Sequence, residues 1–305
     1  MTLQQLRVFL SIFDFGSFRR AARELGVSQA GLTNSLKALE TELQTCLLQR
    51  SARGVSLTAD GERLLPRARL IDREARRVIE EAQSARGPIG GALHVGFGPT
   101  ATATLLPLVL PDFHARFPSV KLHLASGFYE HLLPPLQQGL IELAVTAVPQ
   151  ERAVPGIASK VLFKSDLVVV GRLGHPRSAA RSLHELVDCE WILLGSPGGP
   201  GATVIPFFTG LSLPEPHVAA TCETSPQLAS LIAGTDWLAL LPSALIERGL
   251  LGTPIVQIKL KEKAPQTDNC LLYRTDPPLT PAASSFAAMC ESCARIMASL
   301  GPRPR

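Results

Sequence analysis

Within the first 43 residues, two glycine-bearing breaks of two or three residues force three short helices against one another. Leu3, Leu6, Phe9, Leu10 and Phe13 recur at helical spacing and predict one buried face. Gly16-Ser17 follows, and Ser17 is suited to cap a second helix. That helix buries Phe18, Ala21, Ala22 and Leu25 and turns Arg19, Arg20 and Arg23 outward. It ends at Gly26, where glycine accepts the left-handed conformation of a helix terminus, and only Val27 separates that residue from Ser28, the next N-cap. The third helix buries Leu32, Leu36, Leu39 and Leu43. Two short helices joined by a glycine-bearing turn, the second with a polar outer face, form the helix-turn-helix pattern.

The polar face has a chemistry. Gln29, Thr33 and Lys37 lie along one stripe at i, i+4, i+8, with Asn34 beside it. Gln and Asn pair bidentately with adenine, and Thr meets a thymine methyl or exchanges hydrogen bonds. Lys37, Ser28 and the free N–H groups at the helix start suit phosphates. A polar stripe on an arbitrary helix is only a solvated face. This one falls on the second helix of a turn motif in the basic part of the chain. Residues 47–58 then place two short apolar runs around Gly54, with Arg50 and Arg53 near the tip, which predicts a β-hairpin wing reaching a DNA backbone or minor groove. Thr58 is placed to cap a long helix that runs to about Ala85. Its residues Leu64, Ala68, Ile71, Ala75, Val78 and Ala82 form a heptad seam, which predicts a homodimer presenting two reading heads to dyad-symmetric double-stranded DNA.

Charge separates this part from the rest. The 305 residues carry a formal +4, which is uninformative as a total. Residues 1–87 hold 14 basic against 10 acidic groups and residues 88–305 hold 16 of each, so the whole excess lies before Gly87-Pro88-Ile89-Gly90-Gly91, a connector composition. Three segments follow: 1–58 for DNA binding, 59–87 for dimerisation and 88–305 for a sensor. The N-terminus has no secretory pattern, no run of about 18 apolar residues exists, and the six cysteines are scattered; a cytoplasmic chain with reduced thiols and no membrane contact is expected.

Residues 88–305 read as alternating strands and helices, an α/β architecture with mostly parallel sheets. Leu93–Gly98, Lys121–Ala125, Glu142–Val148, Leu167–Gly171 and Trp191–Gly195 are the expected strands; Leu105–Phe117 and Tyr129–Gln138 are expected helices. Crossings near 162–166 and 266–270 would divide two lobes, at about 92–162 with 268–300 and about 163–267. Ligands in such sheets meet strand C-termini and helix N-termini. Thr100 and Thr102, Phe128 and Tyr129, Ser196 and Thr203, and Ser225 occupy such places. Hydroxyls and bare N–H groups with little Lys or Arg favour a small organic anion, with an aromatic face from Phe128 or Tyr129.

A family resemblance gathers these observations. "GSFRRAARELGVSQAGLTNSLKALETEL" at 16–43, "LLQRSARGVSLTADG" at 47–61, "GALHVGFG" at 91–98 and "LPLVLPDFHARFPSV" at 106–120 resemble LysR-type transcriptional regulators in order and spacing, over nearly the whole chain. The resemblance implies an α/β protein with an N-terminal winged helix-turn-helix, a long linker helix and a two-lobed, periplasmic-binding-protein-like effector domain closing on an effector. It also implies a homodimer that assembles further to a homotetramer. The C-terminal part is similar to the branch that includes regulators of aromatic sulfonate catabolism, so an aromatic carboxylate or sulfonate is the expected effector. Asn34, Leu48 and Gln44-Thr45 depart from the family pattern, and Pro66 predicts a kink or a late start to the straight linker helix.

No catalytic constellation appears, and no enzyme, cofactor or metal is expected. "SPGGPGAT" at 196–203 lacks the Gly-Lys-Ser/Thr of a P-loop, no GxSxG occurs, and the seven histidines show no zinc spacing. Cys290-x-x-Cys293 reads as a buried helix face, and Cys222 beside Glu223 is a weaker thiol-sensor candidate. A transport solute-binding protein would share the C-terminal architecture but needs a signal peptide and no helix-turn-helix. An α/β enzyme with an accessory N-terminal domain would need a catalytic set.

Overall fold

The computed structural model describes residues 1–51, 54–84, 90–149, 153–195, 200–249, 251–252 and 254–300. The chain divides into two compact units, Met1–Pro88 with Gln138–Leu140, and the remainder.

The first unit contains α1 (Leu3–Phe15), α2 (Phe18–Glu24), α3 (Gln29–Leu43), the hairpin β1 (Leu48–Ser51) and β2 (Gly54–Leu57), and α4 (Ala59–Ser84). Each break has a visible cause. Thr2 and Gln5 form a capping box on α1, and Gly16 ends that helix at φ 62°. Ser17 accepts from the Arg20 N–H to start α2, and Ser28 accepts from the Gly31 N–H to start α3. The apolar faces meet in one core of Leu6, Phe9, Leu10, Ile12, Ala21, Leu32, Leu36 and Leu39, closed by Leu47 from the hairpin and Ala68 from α4. Each such Leu or Phe contributes about 1.5–3 kcal/mol by burial. α3 ends at Gln44 in the left-handed conformation, φ 53°, where the notable residue is the missing glycine.

α4 begins at Ala59 and continues through Pro66, so the expected late start does not occur. Thr58 accepts from the Gly61 N–H, as a cap should, and its hydroxyl donates to the Cys46 carbonyl at 2.6 Å. At Gly61 a Cβ would stand 2.1 Å from the Leu47 carbonyl oxygen; only glycine lets the helix approach the hairpin there.

The second unit runs β3 (Gly91–Phe97), α5 (Pro99–Thr104), α6 (Leu106–Arg116), β4 (Val120–Ser126), α7 (Tyr129–Gln137), β5 (Leu143–Val148), β6 (Ile157–Arg172), β7 (Glu190–Leu194), α8 (Val204–Thr209), β8 (His217–Cys222), α9 (Ser225–Gly234), β9 (Ala239–Pro242), α10 (Ser243–Glu247), β10 (Ile255–Gln257), β11 (Gln266–Arg274) and α11 (Pro281–Leu300). The expected strand at 167–171 is only the end of the 16-residue β6. Its first part, to Asp166, pairs with β11; from Leu167 onward it pairs with β9 and β10. One continuous strand therefore serves both lobes. The sheets are mixed: β4–β3–β5 and β7–β8 are parallel, whereas β6 and β11 pair only antiparallel. That corrects the expectation of mostly parallel sheets, because the strands that leave and re-enter the first lobe must run in opposite directions.

Lobe I packs α6 and α11 on one sheet face around Phe97, Phe113 and Phe286, and α7 on the other around Leu132, Leu136 and Leu272. Lobe II has a core around Trp191, Phe207 and Phe208 and another around Ile192, Leu228 and Ile232.

Candidate DNA-reading face and effector chamber

On the reading face, α3 buries Leu32, Leu36 and Leu39, which turns Gln29, Asn34 and Lys37 to solvent. Among the described residues no hydrogen bond or ion pair occupies those three side chains, so their donors and acceptors are available to base edges and phosphates. Thr33 differs. It is half-buried and its hydroxyl donates to the Gln29 carbonyl at 2.9 Å, leaving its methyl and a lone pair for recognition. Ser28 is exposed, but its oxygen already accepts from the Gly31 N–H at 3.0 Å, so its part in a phosphate contact is as a donor.

The hairpin pairs Leu48 with Leu57 and Arg50 with Val55. Glu40 ties it to α3, its carboxylate accepting from the Leu47 N–H at 2.7 Å and the Leu48 N–H at 3.3 Å. Arg50 thus has a defined backbone place on β1, while Arg53 lies outside the described residues.

α4 splits the expected seam in two. Ala68 is wholly buried in the core of the reading head, and Leu64 packs against the same core. They hold α4 on its own head. Ile71 and Val78 are 41% and 65% exposed, Ile79 is also exposed, and Ala75 is half-buried. This part of the seam leaves an apolar stripe exposed on a charged helix, the kind of surface that marks an interaction site.

In the second unit a cavity of about 560 Å³ opens between the lobes, with Tyr129, Val148, Thr203, Phe207, Lys263 and Thr267 on its wall. Of the expected effector residues, Tyr129 and Thr203 are there. Thr100 is buried at the start of α5, where its carbonyl accepts from the Thr104 hydroxyl, and Thr102 is exposed; neither is on the wall. Phe128 is off the wall for a physical reason: it is 5% exposed and packs among Val170, Ile192, Leu194 and Leu228 of lobe II. Ser225 heads α9 behind the N-cap Thr224, and its hydroxyl oxygen is buried without a partner among the described residues. Ser196 lies outside the described residues.

Sequence reasoning missed Lys263 and Thr267. Among the described residues, the buried hydroxyl oxygen of Thr267 on the chamber wall has no partner and no carboxylate pairs with Lys263. Asp268, on the same wall, is met by Lys164 at 3.0 Å, so its charge is balanced. No spacing could have revealed the pair, since only the return strand β11 brings Thr267 beside residues 120 positions away.

Five of the six thiols, all but the exposed Cys46, are held protonated by burial. Burial pushes Cys222 up to about 11 and Cys290 up to about 12, and raises Cys189, Cys270 and Cys293 as well. A protonated thiol is a poor nucleophile toward peroxide. Cys290 is fully buried on α11, as a helix-face residue should be. No group of three His, Cys, Asp or Glu among the described residues is placed to hold a metal, and no described helix is long and apolar enough to cross a membrane.

Comparison with known proteins agrees with both halves. Residues 3–62 match the bacterial regulatory helix-turn-helix protein model of the lysR family, and residues 86–294 match the LysR substrate binding domain. A "probable hydrogen peroxide-inducible genes activator" of Streptomyces viridosporus is 33% identical over 262 residues, 81% of this chain and 79% of that one. Full-length CbnR in complex with its target DNA shares the fold at a TM-score of 0.72 with 24% identity, over 96% of this chain and 100% of CbnR. A cysteine variant of Corynebacterium glutamicum OxyR with hydrogen peroxide bound is 27% identical at a TM-score of 0.57, over 100% of this chain and 97% of that one. These relatives do not support placement in the aromatic sulfonate branch; two of the three carry hydrogen peroxide in their names. The chain belongs to the LysR family of DNA-binding transcriptional regulators.

Proposed function

We propose that this regulator reads a dyad-symmetric operator through Gln29, Thr33 and Asn34, with Ser28, Lys37, Arg50 and Arg53 on phosphates. It dimerises through Ile71, Ala75 and Val78 of α4, and it responds to a small organic acid held between its lobes. A cytoplasmic setting accords with both DNA binding and reduced thiols. The observation that carries the effector reading is the chamber wall itself. Among the described residues, Lys263 and Thr267 offer an unpaired cation and an unanswered hydroxyl beside the apolar surfaces of Tyr129 and Phe207. A carboxylate with an apolar body satisfies all four. Binding one lobe arrangement better than another is then sufficient to couple effector to DNA.

A second reading, a regulator answering to peroxide, is favoured by the names of the relatives. The raised thiol pKa values weigh against a sensor at Cys222 or Cys290, and leave the exposed Cys46 as the thiol a peroxide reading would turn on. One experiment separates the two. The intact protein is screened by thermal shift against carboxylic acids and, separately, against hydrogen peroxide with mass analysis of the thiols. A carboxylate at 100 times its Kd stabilises by about 2.7 kcal/mol, and this stabilisation should vanish in Lys263→Ala and Thr267→Val. Stoichiometric thiol oxidation by micromolar peroxide, with no carboxylate shift, sinks the organic-acid reading.

A further inference from the structure

Asp72 on α4 is a carboxylate with no reason to be buried unless something needs it there. It is 7% exposed and lies one residue from Ile71 on the open apolar stripe. One of its oxygens accepts from Nε of Arg7 on α1 at 2.5 Å; the other accepts from Arg76, one turn along α4, at 2.9 Å. Nearby, Arg69 of α4 bonds Asp14 of α1 at 2.6 Å and lies over the Phe13 ring at 5.9 Å. The two ion pairs differ in kind. Arg69 and Asp14 are both about half-exposed, and such pairs contribute little. Asp72 is nearly desolvated and uses both oxygens, a geometry in which losing one partner strands a charge.

Burying a paired charge seldom adds net stability over an apolar residue, but it defines one relative orientation where apolar packing would allow several. α1 meets α4 largely through aliphatic contacts such as Leu6, Leu64 and Ala68, which tolerate sliding. The Arg7–Asp72–Arg76 triad does not.

We propose that Asp72 is a positioning residue that fixes the angle of the reading head on the helix that carries the dimer stripe, and so sets the spacing between half-sites that the dimer accepts. The inference rests on the proposed dimerisation through α4. Asp72 and Ile71 are adjacent on one helix, so the head-facing clamp and the partner-facing stripe are separated by a single 100° step. Rotation of α1 about α4 in each protomer moves the two copies of α3 relative to one another. One inserted base pair turns a half-site by about 34° and shifts it by about 3.4 Å, so spacing reports that angle directly.

The test uses the full-length protein and duplexes that the wild type itself selects from a random library, with the half-site separation then altered by one to four base pairs. Wild type is expected to lose about tenfold or more in affinity per base-pair error, the order of a mismatch in a specific site. Asp72→Asn should flatten that penalty to within about threefold, with affinity for an isolated half-site and the salt slope unchanged. Arg7→Gln, which removes the same bond from a more exposed side, is measured alongside and should flatten it likewise if Asp72→Asn fails to fold. A merely structural loss lowers affinity at all spacings alike and leaves the preference sharp; that result overturns the proposal. Sedimentation of the wild type keeps the two ideas apart. A dimer with unchanged spacing preference in the variants overturns the role of Asp72 alone, whereas a monomer overturns the dimer reading and this inference with it.

Discussion

The seam of α4 divides into residues packed in its own head and exposed residues proposed to meet a second copy, and a pair of glutamate substitutions tests the division. Val78 is 65% exposed in one copy. Full burial of a valine is worth about 1.5 kcal/mol, so covering the exposed part contributes about 1 kcal/mol per protomer and about 2 per dimer. Val78→Glu forfeits that amount, which alone raises the dimer Kd by about 30-fold, and desolvation of two carboxylates adds to it. The head should stay folded. Ala68 is at zero exposure in the core formed by Leu6, Leu32, Leu36 and Leu39. Ala68→Glu places an unpaired charge there, at a cost of several kcal/mol, comparable with the whole stability of a small domain. Sedimentation equilibrium with far-UV circular dichroism reads both. The expected pattern is a folded monomer for Val78→Glu and loss of helical signal with loss of DNA binding for Ala68→Glu. A Val78→Glu protein that dimerises like wild type, or an Ala68→Glu protein that stays folded while the dimer dissociates, refutes the division.

Gln44→Gly should stabilise the protein by about 0.5–1 kcal/mol, because Gln44 holds a left-handed conformation that glycine adopts freely; an unchanged or lower melting temperature contradicts this. Glu262 gives a pH-dependent case. Burial raises its carboxyl, but hydrogen bonds from the Ser182 hydroxyl at 2.6 Å and the Leu183 N–H at 3.1 Å outweigh that and hold it below the ordinary value. A depressed folded pKa means stability present above the unfolded value of about 4.3 and lost as pH falls through the folded one. Glu262→Gln should therefore lower the melting temperature at pH 7 and lower it progressively less below about pH 4; an equal difference at both pH values would show that ionisation is not the cause.

Much of the first unit was legible in the sequence because its determinants are local. Apolar spacing places the buried faces of α1, α2 and α3, and Gly16, Ser17, Gly26 and Ser28 punctuate them within a residue or two. Thr58 as a helix cap follows from the same short-range chemistry. The seam was half legible, because heptad spacing identifies an apolar stripe but is silent on what covers it; only the packing of Leu64 and Ala68 into the head decides that. The first half of β6 was not legible. Lys160 and Lys164 interrupt its apolar pattern, and it is a strand because β11, more than a hundred residues later, lies beside it.

The proposed effector site shows the same boundary. Helix starts and loop hydroxyls can be read one at a time, and Tyr129 and Thr203 do reach the chamber. Which aromatic faces the cavity is a tertiary decision: Tyr129 lies on the wall while its neighbour Phe128 is drawn into the lobe II core, where its ring is dehydrated. Lys263 and Thr267 join the site only through the return of the chain into lobe I. By itself, then, the sequence determined the helix breaks, the exposed polar face of α3 and the division of charge, because each depends on neighbours within a few residues. The clamp on Asp72, the split seam and the chamber wall were decided by tertiary structure, because each depends on groups that meet only when distant segments pack.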